Sequence, residues 1–240
     1  MTAGDEALRA LLFSQGAALV GFADLRHVPG APLPYGVSVA VPLPRDIVRS
    51  IQNGPNWAYF ETYNRLNTLL DSLVKVGFEY LSARGFQALA QTRATVAGND
   101  RYVAAMPHKT VATRAGLGWI GKCALLVTRS YGLALRLSSL LTDAPLACGR
   151  PVEHSRCGGC IACLVKCPGR AVTGADWKVG TPKEALYDPI KCARTARALS
   201  KANFGKEVAL CGQCIVACPY TQNYLSQGGP HEPNQIDAGQ

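Results

Sequence analysis

Two stretches decide what this chain folds around: CGGCIACLVKCP at residues 157–168 and CGQCIVACPY at residues 211–220. In the first, Cys157, Cys160, Cys163 and Cys167 are separated by two, two and three residues, and Pro168 follows the last. Three cysteines at two-residue intervals let a tight loop wrap one face of an iron–sulfur cube, while the Cys-Pro turn aims the fourth thiolate away, at a second cube. Two such halves must exchange ligands. The exchange places one cluster on Cys157, Cys160, Cys163 and Cys218 and leaves Cys167, Cys211 and Cys214 one ligand short. Cys192 is the only free cysteine between the two stretches, and eighteen residues separate it from Cys211. The missing ligand is displaced by an insertion rather than lost.

A zinc module or a disulfide framework would use the same residue type differently. Zinc asks for four-ligand sets such as paired CxxC and has no use for the run that ends in Cys-Pro. Disulfides ask for an oxidising compartment, and no secretory signal opens the chain: Asp5 and Glu6 precede the first apolar stretch, and Ser14-Gln15-Gly16 interrupts it. Two 4Fe-4S clusters in a cytoplasmic protein are the expectation.

With 240 residues and 48% hydrophobic content the chain has enough material for a substantial core, as one large domain or two unequal ones. No apolar run approaches the roughly 20 residues that span a bilayer, so no membrane association is expected. The formal charge is +9. Two oxidised cubes with four thiolates each carry about −2 apiece, which brings the loaded protein to roughly +5. That surplus suits an acidic electron donor, or a polyanion such as RNA, but no dense Lys/Arg run or interleaved aromatic motif marks a nucleic-acid site.

Upstream of the clusters the pattern is mixed helix and strand. DEALRALLF (5–13) has helical apolar spacing, and AALVGFADL (17–25) and VSVAVPL (37–43) read as strands around a Pro/Gly-rich loop. From Trp57 to about Arg84, Leu66, Leu69, Leu70 and Leu73 form the apolar stripe of a long helix, a core face rather than a cofactor box. A helix is expected around 108–115, then strands CALLVT (123–128) and LALRLSSLLT (133–142), joined as a hairpin at Tyr131-Gly132. DAPLACGRPVEHSR (143–156) reads as a linker, and SQGGPHEPNQIDAGQ at the end as a mobile tail. The division expected is 1–147, 148–225 and 226–240.

Between these parts lies HKTVATRAGLGWIGKCALLV (108–127), which electron carriage alone does not require. AGLGWIGK (115–122), an apolar strand, SSLLTDAPL (138–146) and the cluster run with its displaced cysteine together resemble the epoxyqueuosine reductases and the short iron–sulfur proteins akin to them, and more distantly the corrinoid-dependent reductive dehalogenases. The resemblance covers roughly residues 100–220. It implies an α+β fold: a nitroreductase-like N-terminal domain that holds a corrinoid such as cobalamin, followed by a bacterial ferredoxin-like domain with two 4Fe-4S clusters that feeds it electrons. It also implies a small electron donor such as ferredoxin or flavodoxin. In that setting Gly116, Gly118 and Gly121 let a flat cofactor approach the backbone, Trp119 packs on the macrocycle, and Lys122 meets an acidic group or phosphate. The plainer reading of the same turn is structural, with a core tryptophan.

The chain departs from the family where the epoxyqueuosine reductases carry Tyr-Val-Asp shortly before a proline. Here the segment is Tyr102-Val103-Ala104-Ala105-Met106-Pro107, and alanine has no proton to donate. The residues after the clusters are also too few for the helical-repeat extension that suits longer members to tRNA, so epoxyqueuosine reduction and tRNA binding are disfavoured. His108 is the leading substitute donor and Tyr102 the second, since histidine titrates near neutrality; Asp100 is the nearest upstream carboxylate. Cys123 reads as a small buried hydrophobe, or as a thiol facing an open pocket; Cys148 carries no role. Three functions follow: an iron–sulfur reductase acting through a corrinoid or on a substrate, a non-catalytic electron-transfer or corrinoid-handling protein, and a tRNA-binding relative without catalysis.

Overall fold

The computed structural model describes residues 3–97 and 104–227. The first elements are α1 (Ala3–Ser14), β1 (Leu19–Asp24), β2 (Tyr35–Pro42), α2 (Arg45–Ser50) and α3 (Trp57–Ser82). Then come β3 (Ala88–Ala90), α4 (Arg93–Ala97), α5 (His108–Arg114), β4 (Trp119–Ile120), β5 (Leu126–Val127) and β6 (Leu135–Thr142). The cluster run contributes α6 (Ala162–Val165), α7 (Lys183–Leu186), α8 (Pro189–Phe204), α9 (Gln213–Ala217) and α10 (Pro219–Ser226). The fold is mixed, as expected.

A four-stranded sheet in the order β1-β2-β6-β3 forms the centre, and every pairing in it is antiparallel. Val37, Val39 and Val41 of β2 are buried, and so are their neighbours Ala40 and Ser38, so both faces of this strand are covered. On one side lies α3, capped by the Asn56 side chain, which accepts from the Tyr59 backbone N–H at 2.9 Å. Leu66, Leu70 and Leu73 of its stripe are buried, while Leu69 is only partly so. Gly77 lets β6 come close: a Cβ there would lie 2.5 Å from a Leu140 methyl.

Two expectations change. The hairpin expected of CALLVT and LALRLSSLLT is reduced to one antiparallel bridge, Thr128 with Gly132, bonded reciprocally at 2.9 and 3.0 Å; β5 pairs with β4, and β6 leaves to join the central sheet. The cause lies far along the chain. Gly132, at φ 56, is packed so tightly that a Cβ would sit 2.2 Å from the Thr221 backbone nitrogen, and the Thr221 hydroxyl accepts from the Leu133 N–H at 3.0 Å. The Tyr131-Gly132 turn is therefore the landing place of α10. Residues 143–156 are likewise no free linker: Gly149 N–H donates to the Phe22 carbonyl at 2.8 Å and Val152 N–H to the Thr113 carbonyl at 2.9 Å.

The buried core is continuous from α1 and the sheet to Leu210, Ile215, Val216, Tyr224 and Leu225. After the second cysteine run the chain returns to the N-terminal elements. Tyr224 Oη donates to the Leu43 carbonyl at 3.0 Å, and Arg45 and Arg49 of α2 donate to the carbonyls of Tyr224 and Leu225 at 2.9 and 2.6 Å. No helix among the described residues is long and apolar enough to cross a membrane.

Candidate metal centres and the turn that carries them

Local geometry builds each cysteine loop. Gly158 takes a left-handed φ of 53 just after Cys157, and the Cys160 N–H closes onto the Cys157 carbonyl at 3.1 Å. The short α6 follows and presents Cys163. Beyond the Cys167-Pro168 turn, the Ala171 N–H reaches back to Cys167 Sγ at 3.3 Å. In the second run Gly212, at φ 79, precedes α9, and Pro219 occupies the first turn of α10 directly after Cys218.

The insertion between Cys192 and Cys211 is the helix α8. Asp188 caps it, accepting from the Ile190 and Lys191 N–H groups at 3.0 and 2.9 Å, so Cys192 sits in its first turn. Gly205, at φ 76, ends the helix, and Ser200 Oγ donates to the Leu210 carbonyl at 2.7 Å, which folds the chain back to Cys211. The sequence of turns replaces a two-residue spacer with a helical detour that still delivers a thiol.

The cysteines fall into neighbourhoods. Cys218 faces Cys157. Cys192 and Cys211 face Cys167, and Cys211 also faces Cys192. Burial pushes the thiols of Cys192, Cys211 and Cys218 up from their ordinary values, so without metal they hold their protons. Iron displaces those protons, which ties loading to pH. Among the described residues no three His, Cys, Asp or Glu side chains close around a single ion. A four-iron cube asks for a wider arrangement; the neighbourhoods above link Cys157 with Cys218, and Cys167 with Cys192 and Cys211.

The AGLGWIGK turn departs from its expected use. Its glycines admit protein rather than a cofactor: a Cβ on Gly116 would lie 2.6 Å from the Arg150 carbonyl oxygen, and one on Gly118 would lie 2.0 Å from that of Val127. A Cβ on Gly121 would meet the Val127 side chain at 2.9 Å and Cys157 Sγ at 3.7 Å. Trp119 is buried edge-on against Tyr220, with ring centroids 4.9 Å apart, and so packs on the second cysteine run instead of an open macrocycle face. Its indole Nε1 is buried without a hydrogen-bond partner among the described residues. Lys122 does meet an acid, Asp176, at 3.8 Å, but its shorter bond is to the Gly158 carbonyl at 2.8 Å.

Tyr102 and Asp100 lie outside the described residues. His108 opens α5 with its Nδ1 2.8 Å from Ser139 Oγ, which also receives Gln91 Nε2 at 2.8 Å; the Gln91 Oε1 accepts from the Met106 N–H at 2.8 Å. Arg136 stands in the same region, stacked 4.1 Å over Tyr63 and donating to Asn67 Oδ1 at 2.9 and 3.1 Å. Burial first, then the nearby Arg136 charge, pulls His108 down from 6.5 to about 4. At neutral pH it is an uncharged imidazole, not the near-neutral acid that its residue type suggests.

One residue of the site, Lys109, escapes sequence reading, and a second, Cys123, takes the buried place expected of a small core thiol. Lys109 sends its ammonium 2.6 Å to the Ala124 carbonyl, and Cys123, the preceding residue, is buried in the core. A cysteine just outside a cluster motif, in a turn of unusual glycine density, is the signal that pointed there.

Residues 156–221 match the family of 4Fe-4S double cluster binding domains, so the chain carries such a domain. Its curated relatives are epoxyqueuosine reductases. It is 29% identical over 167 residues to that of Lactococcus garvieae, covering 65% of this chain and 46% of the relative, and 38% identical over 136 residues to that of Synechocystis, covering 53% and 45%. The chain thus spans under half the length of these relatives. In structure it is similar to the catabolic reductive dehalogenase NpRdhA, at a TM-score of 0.70 and 20% identity over 90% of this chain and 31% of that one. It is also similar to an epoxyqueuosine reductase solved with a tRNA-Tyr stem loop, at 0.59 and 18%, over 91% of this chain and 65% of that one. The resemblance read from AGLGWIGK and the cysteine spacing is borne out.

Proposed function

We propose that the chain is an iron–sulfur reductase. One cluster is held by Cys157, Cys160, Cys163 and Cys218 and the other by Cys167, Cys192, Cys211 and Cys214. Residues 1–147, which we read as nitroreductase-like, hold the electron acceptor, a corrinoid or another substrate. Bound in these positions, the clusters would supply single electrons.

The observation that supports this best is the straddle of α5. His108 faces the polar group of Ser139 and Gln91, with Arg136 nearby, while the adjacent Lys109 holds the Ala124 carbonyl of the turn whose Gly121 lies against Cys157. On the ligand assignment proposed above, this seven-residue helix would link a buried polar region to the electron source. His108, neutral, orients and accepts or donates one hydrogen bond rather than delivering a proton from a charged state. Around Cys167 and Cys192, exposed Lys166, Arg170, Lys191 and Arg194 suit the docking of an acidic carrier such as ferredoxin or flavodoxin.

Epoxyqueuosine is not the substrate proposed. The relatives carry that activity in their names, but Ala104 stands where an aspartate is expected and His108 does not replace it as an acid. These two residues favour, as the second reading, a non-catalytic electron-transfer or corrinoid-handling protein. Gel filtration of the anaerobically reconstituted protein with cobalamin separates the two. Retained cobalamin, together with reoxidation of reduced clusters upon its addition, supports the reductase; clusters that reoxidise only with carrier proteins, with cobalamin eluting apart, overturn it in favour of a carrier.

A further inference from the structure

The inserted helix α8, PIKCARTARALSKANF, carries the cations Lys191, Arg194, Arg197 and Lys201 and no carboxylate. Helical spacing sorts its residues onto two faces. Cys192, Ala196 and Ser200 stand at i, i+4 and i+8, and the last two are buried, so this face packs inward and delivers the thiol. Ile190, Arg194, Arg197 and Lys201 stand at i, i+4, i+7 and i+11 and form the opposite face. All four are exposed, Ile190 at 77%.

The neighbouring chain adds to the outer face. A Cβ on Gly169 would lie 2.5 Å from Thr195 Oγ1 and 3.4 Å from the Lys191 carbonyl, so the turn after Cys167 is pressed against the helix and brings exposed Arg170 beside it. Among the described residues Lys191 pairs with Asp188 at 3.8 Å and Lys201 with Glu207 at 3.6 Å, all four side chains exposed, while Arg194 and Arg197 pair with no carboxylate. Exposed pairs of this kind contribute little, so the face keeps its positive charge.

In the plain cysteine run two residues do the work of this helix, which leaves its outer face free for another use. Cations around an exposed apolar side chain fit a negatively charged protein, steered by the charges and seated on Ile190. From Ile190 to Lys201 the face is about 16 Å long at 1.5 Å per residue, a size that suits brief electron-transfer encounters. RNA fits it less well. Asp188 and Glu207 stand near its two ends, and the exposed ring at the end of the helix, Trp57, is already packed against Phe60 and Phe204 with the Lys206 ammonium 5.8 Å from its centroid. Little of that ring is left to stack on a base.

We propose that the outer face of α8 is the docking site of a small acidic electron-carrier protein, which gives up one electron to the cluster that Cys192 helps to hold. The inference rests on the ligand assignment under the proposed function and adds to it the place and order of entry, second cluster first. The test is stopped-flow reduction of the anaerobically reconstituted protein by a reduced bacterial ferredoxin, with dithionite as the small reductant and iron counted in each variant. Expected at low salt is a rate lower by about threefold in Arg197→Glu and by about tenfold in Arg194→Glu/Arg197→Glu, with wild-type iron and full reduction by dithionite. Arg197→Lys and Lys75→Glu, the second an equal charge change on exposed α3 surface, keep the wild-type rate. Added salt slows the wild type and hardly affects the double variant. Equal slowing in Arg197→Glu and Lys75→Glu, or a wild type that dithionite reduces and ferredoxin does not, would overturn the proposal. A double variant with the wild-type ferredoxin rate would overturn it too, and loss of tRNA binding in that variant would make the face a nucleic-acid surface. The proposed function fails separately: clusters that cobalamin does not reoxidise remove the reductase reading and leave the docking site standing.

Discussion

The Lys122 ammonium donates to the Gly158 carbonyl at 2.8 Å, tying the glycine turn to the loop between Cys157 and Cys160. The side chain is 7% exposed, so the bond is made away from bulk water, with Asp176 at 3.8 Å as its counter-charge. Hydrogen bonds from charged donors contribute on the order of 1.5–3 kcal/mol, twice a neutral one. Lys122→Met keeps the aliphatic stem and removes the donor. The expected result is a folded protein in which half the iron, that of the first cluster, is lost to a chelator at least tenfold faster than the other half. Equal loss rates for both halves would show that Lys122 does not anchor the loop.

Ligand count gives the second prediction. Eight cysteines in two sets of four require about eight irons per chain. Cys192→Ser removes the thiol that α8 delivers and is expected to leave about four, with the first cluster's spectrum intact. Cys148→Ser, which alters a thiol outside both neighbourhoods, keeps all eight. A Cys192→Ser protein with full iron would mean that another group completes the second set.

The third prediction concerns pH. His108 titrates at about 4 when folded, against 6.5 ordinarily, because burial and Arg136 disfavour its charge. Between those values the unfolded chain binds the proton that the folded chain refuses. Stability is therefore full above pH 6.5 and falls as pH drops toward 4, by at most about 1.4 kcal/mol per pH unit for one group. His108→Gln keeps a polar side chain for Ser139 without titrating. Denaturant unfolding of both proteins between pH 7 and 4.5 should show a shallower acid slope in the variant; parallel slopes would mean that other groups set the acid limit.

Much of this was legible where the signal is local. The cysteine spacing, the leucine stripe of α3 and the helix at His108 are short-range patterns, and each appears in the fold. The pairing of β5 was not legible, because CALLVT and LALRLSSLLT flank a good turn dipeptide, and what parts them is the approach of Thr221 to Gly132 from the far end of the chain. The AGLGWIGK turn was legible as a place of close approach but not as to what approaches: glycine reports a missing Cβ, and the neighbours prove to be the carbonyls of Arg150 and Val127. His108 shows the same limit, since its residue type sets an ordinary value, and burial first, then Arg136 of β6, moves it. Cys123 is buried, as a small core thiol would be, because short-range apolar pattern reports burial directly.

The last prediction separates a structural glycine from a pocket glycine. Gly118 precedes Trp119 on β4, and an added Cβ would lie 2.0 Å from the Val127 carbonyl oxygen and 3.0 Å from its carbon. Backbone atoms of the paired strand cannot swing aside as a side-chain tip can, so β4 and β5 must part. That separation loosens the Trp119–Tyr220 contact and, through Lys122, the first cysteine loop. Overpacking of this kind costs about 1–3 kcal/mol, or roughly 2–10 °C in Tm for a chain of this size. Gly85→Ala is the comparison, because a Cβ there meets nothing within 4 Å and its φ of 82 adds only the strain of a left-handed residue, about 1 kcal/mol. Thermal unfolding of the anaerobically reconstituted proteins should show a lower midpoint for Gly118→Ala than for Gly85→Ala. If Gly118→Ala instead unfolds like wild type but loses a bound ligand that wild type retains, the turn borders a pocket after all.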